Sequence, residues 1–169
     1  GRDGSFWEAN PELPYRPIRT WQVWNEQNTS KYFAPAPDAE RYAALLVAAA
    51  DAIRSVDRRA DVALGGMWGP KGANAVVPVA SYLKLLYPIP GVRESFDSLS
   101  VHPYGKNADD VVEQVREVRR VAASFHDRKA SILATELGWA STGPADHWLV
   151  KGRRGEARRT LATRRCGRV

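Results

Sequence analysis

Thr20-Trp21-Gln22-Val23-Trp24-Asn25-Glu26-Gln27-Asn28 is the stretch that decides the fold. Its first half is rich in Thr, Trp and Val, residues that suit the pleated, half-buried surface of a strand. Its second half is a polar cluster, Asn25-Glu26 with Asn28 just behind. Polar groups just past the C-terminal end of a buried strand are where parallel α/β proteins place their chemistry. Glu26 is therefore the first candidate catalytic carboxylate. Ser131-Ile132-Leu133-Ala134-Thr135-Glu136 repeats the pattern and supplies the second, Glu136.

Working outward, residues 1–17 are rich in Gly and Pro and read as a loop. A strand over Ile18–Trp24 is followed by Pro35-Ala36-Pro37-Asp38, with Asp38 placed to cap a helix over Ala39–Val56. Tyr42, Leu45, Leu46, Ala49 and Ile53 form that helix's apolar stripe. A second strand, Asp61–Met67, contains Gly65 and Gly66, which signal a bulge or a close backbone approach. A Gly-rich loop, Gly69–Asn74, leads to a helix over Val79–Tyr87. A third strand spans Ser95–His102, and Asn107 caps a helix over Ala108–Phe125. Val111, Val112, Val115, Val118, Val121 and Ala122 make its apolar face. A fourth strand covers Ala130–Thr135, and a weaker helical pattern runs from Gly155 to about Arg165. Alternating strands and helices imply a parallel sheet with right-handed crossovers, either doubly wound or a (β/α)8 barrel. No Gly-x-Gly-x-x-Gly or Walker sequence follows a strand, which disfavours the nucleotide-binding doubly wound fold.

The 169 residues suffice for one domain with a real core, and 44% apolar content suits a globular chain. A complete barrel needs ~250 residues, so four βα units amount to half of one. Its inner strand faces and both sheet edges would stand open unless other residues close them. No apolar run reaches the ~18 residues of a membrane span. The chain begins at Gly1, and no leader is visible. Cys166 has no partner for an internal disulfide and leaves the redox compartment open. The net charge of +6 comes from the tail: residues 151–169 hold eight basic residues against the single Glu156. A near-neutral body with a basic end does not read as a nucleic-acid-binding face. No cofactor motif is present.

Two carboxyl groups flanking one bond are what glycoside hydrolysis needs: one protonates the leaving oxygen, the other attacks the anomeric carbon or activates water. Glu26 and Glu136 lie far apart in sequence, yet each ends an apolar strand. Trp21, Trp24, Trp68, Tyr104 and Trp139 all fall near strand ends. Aromatic faces bury the C–H surface of a sugar well. Trp21 reads as a core residue, whereas Trp68 and Trp139, beside loop glycines, read as binding residues. Strict alternation puts Trp24 on the side of Glu26 and Asn25 on the other, so a strand that aims Asn25 into the site must distort there. His102-Pro103-Tyr104 ends the third strand, where His102 either bonds a carboxylate or substrate or is a satisfied structural histidine. His102, His126 and His147 show no metal-ligand spacing, and no Gly-x-Ser-x-Gly elbow is present, so neither a metal site nor Ser-His-Asp hydrolysis is expected.

Trp24-Asn25-Glu26-Gln27-Asn28 resembles the Asn-Glu-Pro signature that ends strand four in clan-A retaining glycoside hydrolases. Thr135-Glu136-Leu137-Gly138-Trp139 resembles their strand-seven nucleophile motif, and Phe96-Asp97 through His102-Pro103-Tyr104 is similar to strand six. The closest types are the cellulases of family 5 and the β-xylosidases of family 39. The resemblance covers about Gly4 to Gly152. It implies a TIM-barrel α/β fold present as a partial barrel, strands four to seven, with residues 1–154 as the partial catalytic domain and 155–169 as a basic tail. It implies Glu26 as general acid/base and Glu136 as nucleophile. Asn25 would bind the sugar 2-hydroxyl, and His102 and Tyr104 would line the site near the nucleophile; the reading of the aromatic residues adds Trp24, Trp68 and Trp139 as substrate-binding. The substrate would be an oligo- or polysaccharide, and the family is commonly extracellular.

Gln27 stands where the family has Pro, and strands one to three and strand eight have no counterpart here. A fragment, or a reading-frame change near the 3′ end, would explain the Arg-rich tail and the missing strand. A half-barrel open to water on one side is expected to be inactive alone. Two competing readings are a non-catalytic carbohydrate-binding or interaction module, and a polyanion binder acting through the basic tail.

Overall fold

The computed structural model describes residues 4–70 and 76–139. The Gly-rich loop from residue 71, the expected helix at 155–165 and the basic tail lie outside the described residues. Four strands, β1 (Thr20–Asn25), β2 (Asp61–Trp68), β3 (Ser98–His102) and β4 (Ser131–Ala134), form one sheet in the order β1-β2-β3-β4. All three pairings are parallel. Helices α2 (Ala39–Val56), α3 (Val79–Leu86) and α4 (Ala108–Ser124) make the crossovers. This is the α/β architecture expected of consecutive barrel units.

The caps fall where the sequence places them. Asp38 accepts from the Arg41 amide, and Asn107 accepts from the Asp110 amide, each satisfying a donor at the helix start. The core lies between the helices and one face of the sheet. Val62, Leu64, Leu99 and Val101 meet Tyr42, Leu46, Tyr82, Leu83, Val118 and Val121 there. The opposite face carries small and polar residues: Gln22, Ala63, Ser98 and Ser131 line up in register across all four strands.

Several expectations are corrected. Residues 1–17 are not all loop, since Ser5–Ala9 forms a short helix, α1, with no buried residue. Trp21 is not a core residue but is 45% exposed. It lies beside Val62 on the helix-facing side of the sheet, at the β1 edge, where no described strand continues the sheet. Residues 93–95 form a 3-10 turn, so β3 starts at Ser98 rather than Ser95. The buried face of α2 is centred on Tyr42, Ala43, Leu46 and Ala50, leaving Leu45 exposed, and Val112 of α4 is likewise exposed. Each helix buries a narrower stripe because a single layer of helices packs over four strands.

Candidate active site

The C-terminal ends of β1, β3 and β4 converge. β1 does distort at its end. Trp24 and Glu26 have φ of 75° and 48°, left-handed values uncommon for residues with side chains. These two residues flank Asn25 and break the strict alternation, and the Glu26 amide still bonds the Gly66 carbonyl at 2.8 Å. Glu26 is buried. Its Oε1 lies 3.0 Å from Nδ1 of His102, which is fully buried. Nε2 of His102 has no hydrogen-bond partner among the described residues. The tautomer that leaves no buried N–H unpaired therefore has the proton on Nδ1, donated to Glu26.

Glu136 follows β4 and is the open member of the pair, its side chain 45% exposed. Its Oε2 accepts from the Tyr104 hydroxyl at 3.3 Å and lies 3.5 Å from His102 Nδ1. One ligand-capable atom from each of Glu26, His102 and Glu136 lies within 4.8 Å of the others. Burial, then the charge of Glu136 and the bond to it, raise the Tyr104 phenol above its ordinary value.

Around the carboxylates, Trp68 lies tilted against Tyr104, with ring centroids 5.4 Å apart and planes at 35°. Trp139 donates from its indole to the Gly105 carbonyl at 2.8 Å, next to Tyr104 in sequence. Trp24 is half exposed, and its indole donates to the Tyr32 carbonyl while packing edge-on against Phe33. Asn25 is half-buried, in register with Gly66. The structure thus links Glu26, His102, Glu136, Tyr104 and Trp68 directly. It ties Trp24 to the loop after β1.

Two features that sequence reasoning did not place in the site are built into it. A Cβ on Gly66 would lie 2.0 Å from His102 Nε2, so the imidazole occupies the space a side chain would need. A Cβ on Gly65 would lie 2.3 Å from Gln27 Oε1 and 2.8 Å from the Val23 carbonyl. The paired strand glycines were the available signal, and β2 does carry a register irregularity between Ala63 and Met67. Chain spacing also hid a cluster able to hold a divalent cation, since Glu26, His102 and Glu136 are scattered in sequence. Metal-bound imidazoles usually donate their outer N–H to an acceptor, and for His102 none is found among the described residues.

No protein-family model matches the chain, and no curated protein matches it. Solved structures do. The family 51 α-L-arabinofuranosidase AbfB from Bifidobacterium longum matches over 95% of this chain with TM-score 0.59 and 17% identity. A family 39 β-xylosidase from Caulobacter crescentus matches over 76% with TM-score 0.54 and 26% identity, and the family 39 enzyme from Xanthomonas axonopodis pv. citri over 81% with TM-score 0.56 and 20% identity. The chain spans 34%, 26% and 29% of those proteins. Its fold is thus similar to part of these clan-A glycoside hydrolases, as an incomplete barrel would be.

Proposed function

We propose that the chain carries the catalytic carboxylates of a retaining glycoside hydrolase acting on O-glycosidic bonds of an oligo- or polysaccharide. The observation that supports this best is the closeness of Glu26, His102 and Glu136, whose ligand-capable atoms gather within 4.8 Å. Retaining enzymes hold their carboxyl groups ~5–5.5 Å apart, inverting ones ~6.5–9.5 Å.

Glu136 is the nucleophile. Tyr104 donates to its Oε2, leaving Oε1 to attack the anomeric carbon. As that bond forms, the bond to the leaving oxygen breaks, and Glu26 gives that oxygen its proton. Glu26 then takes a proton from water, the water oxygen attacks the anomeric carbon, and the ester to Glu136 breaks. Two displacements return the original configuration. Asn25 takes the 2-hydroxyl, and Trp68, Tyr104 and Trp139 form the aromatic wall, with Trp24 at the rim. Two of the named neighbours are an α-L-arabinofuranosidase and a β-xylosidase, so aryl pentosides are the first substrates to try.

Chemical rescue tests the acid/base role and, against the expectation for an isolated half-barrel, requires that the chain react with an activated glycoside. Glu26→Ala with an aryl xyloside bearing a good leaving group should accumulate a glycosyl-enzyme that azide releases as a glycosyl azide of retained configuration. An azide of inverted configuration would reassign the two glutamates. Turnover unaffected by Glu26→Ala would sink the proposal.

A further inference from the structure

Asn28 is fully buried, and nothing above gives it a task. Its amide Nδ2 donates to the carbonyls of Trp68 at 2.9 Å and Val77 at 3.0 Å. Its Oδ1 accepts from the Trp68 amide at 2.8 Å. The β1–β2 ladder ends at Asn25 and Gly66, and beyond it the Asn28 side chain bonds both main-chain groups of Trp68, as a partner strand would. The Val77 amide in turn bonds the Asn28 carbonyl at 2.8 Å. Both amide protons of the side chain are used, so it ties Trp68 and Val77 to each other as well as to the loop after Glu26.

From Trp68 the contacts run on to the site. Its ring lies against Tyr104, and Tyr104 donates to Glu136. We infer that Asn28 is a positioning residue: it fixes Trp68 relative to Glu26 and, through the Tyr104 ring, holds the aromatic wall against Glu136. This deepens the glycosidase proposal and rests on it for the sugar, though not for the geometry.

Asn28→Asp keeps the shape and an acceptor for the Trp68 amide, but sets a carboxylate against the carbonyls of Trp68 and Val77. The test labels the full chain with 5-fluorotryptophan and follows 19F resonances, assigning Trp68 by the signal lost in Trp68→Phe. The Trp68 resonance should shift and broaden in Asn28→Asp, while that of Trp21, remote from Asn28 in the ladder, stays put. Should the aspartate variant fail to fold, Asn28→Ser, which keeps one donor and one acceptor, should displace the same resonance.

A second arm titrates a xylo-oligosaccharide. Asn28→Asp should weaken binding about tenfold, the loss of about 1.4 kcal/mol. Added to Trp68→Ala it should weaken binding no further, because Asn28 acts through Trp68. An unmoved Trp68 resonance, or losses that multiply, would overturn the inference. A displaced resonance in a chain that binds no sugar at all would support Asn28's role and defeat the glycosidase proposal instead.

Discussion

Gly66→Ala concentrates the structural argument in one methyl group. The new Cβ would lie 2.0 Å from His102 Nε2, 2.6 Å from its Cδ2 and 2.8 Å from Thr135 Oγ1. Ordinary contact begins at 3.4 Å, so the imidazole must retreat by about 1.4 Å or β2 must back away from β3. The ring is rigid and fully buried, and its other nitrogen is bonded to Glu26 at 3.0 Å, which leaves no slack of that size. Overpacking alone costs about 1–3 kcal/mol. Loss of the hydrogen bond to Glu26 adds about 0.5–1.5 kcal/mol. A destabilisation of about 3 kcal/mol is expected, which lowers Tm by roughly 6–12 °C in a chain of this size. Gly138→Ala is the control, since its Cβ would meet nothing within 4 Å, and it should stay within about 0.5 kcal/mol of the parent. Thermal unfolding followed by circular dichroism, with the His102 ring signals observed by NMR, checks both arms. A Gly66→Ala chain less than about 1 kcal/mol weaker, with unshifted His102 signals, would refute the packing of His102 between β2 and Glu26.

Further predictions follow from the same geometry. Trp24→Gly should be more stable than Trp24→Ala by about 1 kcal/mol, because only glycine takes φ of 75° without strain; denaturant midpoints of the two variants decide this. Burial raises the phenols of Tyr42, Tyr82 and Tyr87, so the folded chain holds protons that the unfolded chain gives up above its ordinary value near 10. These three phenols should therefore leave stability unchanged up to about pH 10 and then lower it by up to about 4 kcal/mol per pH unit, and Tyr42→Phe should make the fall shallower. Tyr104→Phe should leave stability nearly unchanged but lower glycosylation rates, since it removes the bond that fixes one oxygen of Glu136. Presteady-state release of the aryl group measures that rate.

The alternation of strands and helices was legible because each element carries its own period and its own cap, and Asp38 and Asn107 cap as their residue types suggest. The position of Glu26 and Glu136 just past strands β1 and β4 was legible because a Glu ending an apolar strand stands out locally. What depended on neighbours was less so. Trp21 resembles a core residue in composition, but its burial depends on what covers the β1 edge, which lies beyond any local pattern. Val112 fits the helical stripe of α4 yet sits beyond the reach of the sheet. Asn28 looked like one more polar residue behind Glu26, since its partners at residues 68 and 77 are distant in sequence. Gly65 and Gly66 announced a close approach without naming the side chains, Gln27 and His102, that make it.

The most direct test of the central claim is covalent trapping. An aryl 2-deoxy-2-fluoroxyloside forms the glycosyl-enzyme and releases it slowly, and the stoichiometric product is readable by mass spectrometry even for a site open on one side. The account predicts a single fluoroxylosyl group on the peptide containing Glu136, absent from the Glu136→Gln chain. A label on any other residue, or none after prolonged incubation, would contradict the claim that Glu26 and Glu136 form a working retaining pair.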